Sequence, residues 1–253
     1  MKQSISRIRH GAKVLLYSSL GCALLAIVLI ASCNETTHHT TEVDIIWDVT
    51  EQHTPIPSAK EVLPLFALSK DAAHGAILRF AFASDVSFNH ETVFILPAAG
   101  NAITTNPFDR TREIETFEQS IHAFLDSRAM DTIGRSHSSL YVPIAKSLNR
   151  LATESTADRR ILLVYSDLRE NSAVMNFYTP EILTLLHNDS AHAEGMLSAE
   201  HSLGDLSGIE IHLLYQPRDA LDDAAYRIIS GFYTSLFERK GAHVFVSASV
   251  TVQ

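Results

Sequence analysis

The sequence predicts an α/β domain, a mostly parallel sheet with helices on both faces, and three observations carry that expectation. Runs rich in β-branched and aromatic residues alternate along the chain with segments of helical spacing, the pattern of βαβ crossovers. One run, Ile161–Tyr165 (ILLVY), is continuously apolar and bounded by Arg160 and by Ser166-Asp167, as befits a strand buried on both faces. The alternation breaks at Ala76–Ala83 and Thr92–Leu96, which follow one another with no helix between them and so predict an antiparallel hairpin at one edge. Hydrophobic residues make up 46% of the 253, enough for one sizeable core, and no internal repeat divides it.

Taken in order, folding is expected to begin near Val43, where Val43–Trp47 forms a first strand that Asp48-Val49-Thr50 interrupts. Ala59–Leu68 has helical spacing despite Pro64. The two hairpin strands follow, AILRFAFA and TVFIL. Arg112–Ala129 carries Ile114, Phe117, Ile121 and Leu125 as an apolar stripe flanked by charge, and a second helix is expected from about Leu140 to Leu151. After the strand Ile161–Tyr165 come a short helix at Pro180–Leu186 and a strand at Ile209–Tyr215. Between those two, Asn188–Gly208 is long, polar and weakly patterned, and reads as an inserted recognition loop or disorder. Ala225, Ile229, Phe232 and Leu236 predict a helix over Ala224–Arg239, with Asp222 or Asp223 as N-cap and Gly241 as stop, and His243–Ala248 is the last strand. Trp47, inside a strand, is expected to pack in the core.

The N-terminus is of another kind. Lys2, Arg7, Arg9 and Lys13 precede a charge-free apolar run from Val14 to Ile30, the layout of a secretory signal, although nearly twenty apolar residues also suffice for a membrane anchor. The run ends in Ile30-Ala31-Ser32-Cys33, which resembles the lipobox of bacterial lipoproteins. That resemblance implies cleavage after residue 32 and a lipid on Cys33. Residues 33–42 then form a polar tether (NETTHHTTE after the cysteine), and 43–253 form the domain. Asn34 is not the Asp that retains many lipoproteins at the inner membrane, which points to the outer membrane. The signal would take four of the 20 basic residues and none of the 29 acidic ones, leaving a remainder more acidic than the −9 of the whole chain. With no Lys/Arg cluster beyond Arg159-Arg160, nucleic acid is not an expected partner.

In a doubly wound sheet the working groups sit beyond the carboxyl ends of the strands, where strand order reverses. Asp48 and Asp167 each follow a strand and are expected to face one crevice if those strands are neighbours. Thr50 lies two residues beyond Asp48, and Ser138 and Ser139 stand just ahead of a helix. Carboxylates and hydroxyls without His or Cys form an all-oxygen set suited to Mg²⁺.

These three segments, Asp48-Val49-Thr50-Glu51-Gln52, Ser138-Ser139-Leu140 and LLVYSDLREN around Asp167, resemble the metal-site loops of von Willebrand factor A (VWA) domains. The resemblance covers the element order from Val43 onward. It implies a Rossmann-like sheet with one antiparallel edge strand, and Mg²⁺ held by Asp48, Thr50 and Gln52, by Ser138 or Ser139, and by Asp167. It further implies a protein partner bound without catalysis, an acidic side chain of that partner completing the metal's coordination. Three positions depart from the family pattern: Gln52 stands where a Ser is usual, Ser replaces Thr in the second loop, and Leu168 occupies a place where many members have Gly. A scaffold that has lost the metal is therefore a second expectation. A plainer one is that Asp48, Thr50 and Asp167 cap their own turns.

Other chemistry is less well supported by sequence. Asp48 with Thr50 resembles the start of a haloacid-dehalogenase-type phosphatase, which would make Asp222-Asp223 later metal acids and the protein a periplasmic phosphohydrolase, but that family usually has a second acid where Thr50 stands. Gly134–Ser138 lacks the closing Gly of a nucleophile elbow, and no Gly-rich phosphate loop is present. His187, His192 and His201 match no usual zinc spacing and are expected to be loop residues, and His38-His39 to be solvated tether.

Overall fold

A computed structural model describes residues 39–50, 54–83, 91–100, 106–128 and 139–250. Among the described residues six strands form one sheet: β1 (Thr40–Asp48), β2 (Gly75–Ala83), β3 (Thr92–Leu96), β4 (Arg159–Tyr165), β5 (Ile209–Leu214) and β6 (His243–Ser247). Their order is β3-β2-β1-β4-β5-β6, every pair parallel except β2 with β3. The chain thus builds one half of the sheet outward from β1 and the other outward from β4. Its loops leave β1 and β4 in opposite directions, which opens a crevice beyond their carboxyl ends.

Helices cover both faces. On one face lie α1 (Ala59–Val62), the 3₁₀ turn Leu63–Phe66 that continues it, and α2 (Pro107–Arg128). Pro64 at the start of that turn tightens the helix instead of ending it. Phe117, Ile121 and Leu125 of α2 are buried against Val43, Ile45 and Trp47, and Trp47, 2% exposed, packs beside Phe80 and Phe82. On the other face lie α3 (Tyr141–Thr153), α4 (Pro180–Asn188), α5 (Ser190–Glu200) and α6 (Ala220–Glu238), joined by Leu148, Leu197, Ile211 and Phe237 in a second core. Among the described residues no helix is long and apolar enough to cross a membrane.

Four details differ from the sequence reading. The sheet starts at Thr40, ahead of Val43, because Thr40 and Asp158 exchange bonds: the Thr40 N–H donates to Asp158 Oδ2 at 2.7 Å and the Asp158 N–H to Thr40 O at 2.9 Å. The stretch after Asn188 is largely helical, with Asp189 accepting the His192 N–H as N-cap and Ala193 and Leu197 buried. His187 and His192 are accordingly helical residues and His201 is the C-cap of α5. Finally, α6 is capped by Asp219, whose Oδ1 accepts the Leu221 and Asp222 N–H groups at 2.9 Å, so neither Asp222 nor Asp223 has that task. Gly241, at φ 96°, does stop the helix in the left-handed conformation that Gly tolerates.

Candidate functional site

Register brings the two acids together. Trp47 pairs with Tyr165 across β1 and β4, so Asp48 and Ser166 are the next residues on adjacent strands and Asp167 follows. Both carboxylates are buried, Asp48 to 1% exposure and Asp167 to 2%. Asp48 Oδ1 accepts the Thr50 hydroxyl at 2.6 Å and the Thr50 N–H at 3.0 Å, and Oδ2 accepts the Ser166 hydroxyl at 2.9 Å. Ser166 Oγ in turn accepts the Leu168 N–H at 3.0 Å, so one serine ties the β4 loop to the β1 carboxylate. Asp167 Oδ1 accepts the Arg169 N–H at 3.0 Å. The turn-capping expectation is therefore met at both acids, and the same turns hold two buried carboxylates and two hydroxyls at the carboxyl ends of neighbouring strands.

A cation is built into this loop. The Arg169 guanidinium lies 3.6 Å from Asp167 Oδ2 and 3.2 Å from Asp222 Oδ1, over the Tyr178 ring at 5.2 Å. Asp222 also accepts the Tyr215 hydroxyl at 2.8 Å and the Arg218 N–H at 2.9 Å. Burial works to raise its pKa, but these bonds and the two arginines hold it below the usual carboxylate range, so Asp222 remains an anion.

The second loop is placed by a residue that sequence reasoning passed over. Glu170 is fully buried and its Oε2 accepts the Leu140 N–H at 2.8 Å and the Tyr141 N–H at 2.7 Å, which caps the N-terminus of α3 with a carboxyl oxygen. Ser139, half-buried, is thereby held beside the β4 loop that carries Asp167. Burial pushes the Glu170 carboxyl up despite those two bonds. Its only signal in the sequence is an acid three residues after Asp167. Gln52, Ser138 and Cys33 lie outside the described residues.

Between them, Leu168 has φ 63°, a left-handed conformation that favours Gly, while its side chain is wholly buried in the core beneath α3. The departure noted at this position is one of residue type, and the backbone adopts the shape that Gly would take.

The donor set suits a hard cation in kind, since Asp48, Thr50, Ser166, Ser139 and Asp167 offer only oxygen. Among the described residues no three His, Cys, Asp or Glu side chains form a group able to hold a metal, so hydroxyls would have to complete any coordination shell.

A second polar cluster lies on β1, where Glu42 and Asp44 are buried beneath α3. Arg150 meets Glu42 Oε1 at 2.7 Å and Asp44 Oδ1 at 2.6 Å, Arg79 meets Glu42 at 2.9 Å, and Ser147 donates to Asp44. Burial pushes Asp44 up to about 6, against the attraction of Arg150. Glu42 is held below the usual range, its bonds from Ser155, Arg150 and Arg79 outweighing burial. A groove of about 1000 Å³ runs between β3 and α2, two strands from Asp48 and separate from the crevice. No family model matches the chain, and comparison with curated protein sequences finds no match.

Proposed function

We propose that this chain is a membrane-tethered, VWA-like module that binds a protein partner through the loops around Asp48, Ser139 and Asp167 and performs no catalysis of its own. One observation carries the reading: Asp48 and Asp167 stand at the carboxyl ends of neighbouring strands where strand order reverses, linked by Ser166. The sheet order with its one antiparallel edge strand agrees with the fold that the resemblance implies. The tether is the lipid on Cys33, proposed from the N-terminal sequence, with the outer membrane as its location.

The cofactor in this proposal is Mg²⁺, held by Asp48, Thr50, Ser139 and Asp167, with Gln52 and Ser138 proposed as further oxygen donors from the sequence. When bound, it supplies a coordination position for an acidic side chain of the partner. The residues themselves contribute the rest. Thr50 and Ser166 orient the Asp48 oxygens, Glu170 holds the second loop in place, and burial keeps water from screening the carboxylates. The phosphohydrolase alternative finds no comparable support, because Asp223 pairs with Arg227 at 2.7 Å on the helix surface and Asp222 is engaged by Tyr215, Arg218 and Arg169.

The deciding experiment is the thermal midpoint of the full chain in mild detergent, with and without millimolar Mg²⁺ or Mn²⁺, beside Asp167→Ala. A ligand that binds only the native state raises the midpoint. A rise that Asp167→Ala abolishes supports the metal-dependent reading, and no rise in either protein sinks it. Retention in the detergent phase that is lost in Cys33→Ser tests the anchor; retention unchanged by that substitution refutes it.

A further inference from the structure

We infer that Arg169 is the resident cation of the crevice, and that a divalent ion gains Asp167 only by displacing the Arg169 guanidinium from it, which leaves that group on Asp222 and Tyr178, the partners it already contacts. The inference rests on the proposed metal-binding reading of the same carboxylates. Its ground is the fork in the contacts of Arg169. The guanidinium stands between two buried acids, with the longer contact, 3.6 Å, to Asp167 and the shorter, 3.2 Å, to Asp222.

The guanidinium keeps its other partners when the contact to Asp167 is released. Asp222 is fixed by the Tyr215 hydroxyl and the Arg218 N–H, independently of Arg169, and the Tyr178 ring offers a face at 5.2 Å. Asp167, in contrast, receives Arg169 through both its own turn N–H and the side chain. Releasing the side-chain contact leaves the turn intact. Two positive groups against one buried carboxylate repel strongly where water is excluded, so guanidinium and metal exclude one another at Asp167.

The consequence is that occupancy of the site is an exchange. Arg169 neutralises Asp167 while no metal is bound, keeps the fold stable in that state, and sets how much free metal is needed to fill the site. A partner that offers its own carboxylate to Arg169 would shift that exchange in the metal's favour.

The test compares the native chain in detergent with Arg169→Gln and Arg169→Lys, titrating Mn²⁺ and reading both the thermal midpoint and the loss of the free-ion paramagnetic resonance signal. Arg169→Gln should fill at about tenfold lower Mn²⁺ than the native chain, within the ordinary range of coupling between two sites. Arg169→Lys, which keeps a charge, should remain close to native and controls for folding. Half-saturation in Arg169→Gln equal to or weaker than native overturns the exchange. If the native chain binds and Arg169→Gln does so no more tightly, the metal-dependent reading survives and this inference falls. Metal bound by Arg169→Gln but not by the native chain upholds the inference and makes the native site one silenced by its own arginine. Binding by neither protein removes both.

Discussion

Leu168 offers a sharp test of how the loop between Asp167 and Arg169 is built. Its backbone is left-handed at φ 63° while its side chain is completely buried. Truncating a buried leucine to alanine costs about 2–5 kcal/mol through lost transfer energy and the cavity left behind. Going on from alanine to glycine normally costs more. Unfolded-chain entropy contributes about 0.5–1 kcal/mol, and the lost methyl about 0.8 kcal/mol if it is buried. At most positions Gly should therefore fall about 1.5 kcal/mol below Ala. Here alanine retains a left-handed penalty of roughly 1–2 kcal/mol that glycine escapes, and the two effects cancel. Leu168→Gly and Leu168→Ala should thus lie within about 0.5 kcal/mol of each other, both well below the native chain. The assay is urea unfolding followed by the fluorescence of Trp47, the single tryptophan and a buried one. A glycine variant about 1.5 kcal/mol less stable than the alanine variant would mean that the backbone at Leu168 is not left-handed, and the argument would fail.

Three further outcomes follow from the same structure. Glu170→Ala leaves the Leu140 and Tyr141 N–H groups buried without their acceptor and should cost roughly 2–4 kcal/mol, with Glu170→Gln, which keeps an oxygen there, clearly less damaging; equal midpoints for the two variants would refute the capping role. Acidification tests Asp44. Its folded pKa of about 6, raised by burial, lies above the unfolded value of about 3.9, so the folded state takes up a proton first and stability gained from Asp44 increases as pH falls from 7 toward 4. The native urea midpoint should accordingly gain on that of Asp44→Asn between pH 7 and pH 5, and parallel profiles would show that Arg150 holds Asp44 ionised. Gly75→Ala should destabilise by about 1–3 kcal/mol, because a Cβ there would stand 2.9 Å from the backbone nitrogen of Ala98, which cannot swing aside; an unchanged thermal midpoint would show that the start of β2 tolerates the crowding.

Much of the fold is legible without coordinates because it is written in local periodicity. ILLVY reads as a strand covered on both sides, and two strand-like runs that follow one another without helical spacing between them predict the antiparallel pairing of β2 with β3. The stretch after Asn188 failed that reading for a physical reason. SAHAEGMLSAE buries only Ala193 and Leu197, too thin a stripe to show as periodicity, and its helix depends on a cap at Asp189 and on neighbours already folded. Capping by Asp219 and not Asp222 was equally hidden, since three acids crowd that helix start and only geometry chooses among them.

What the sequence determined by itself is therefore the succession of elements, the positions of Asp48 and Asp167 just past two strands, and an N-terminus of another character from the domain. Neighbourhood was decided by the tertiary structure alone. That β1 lies beside β4, that Ser166 reaches Asp48, that Glu170 caps a helix thirty residues before it, and that Arg169 stands between Asp167 and Asp222 are all contacts across strands and loops. The same holds for Glu42 and Asp44, charged residues within a strand that are buried because Arg79 and Arg150 arrive from distant elements to meet them. Periodicity records which face of its own element a residue occupies. It holds no information on what that face will meet, because the partner of a buried charge is set by sheet order and register, and these are fixed only when the two cores close.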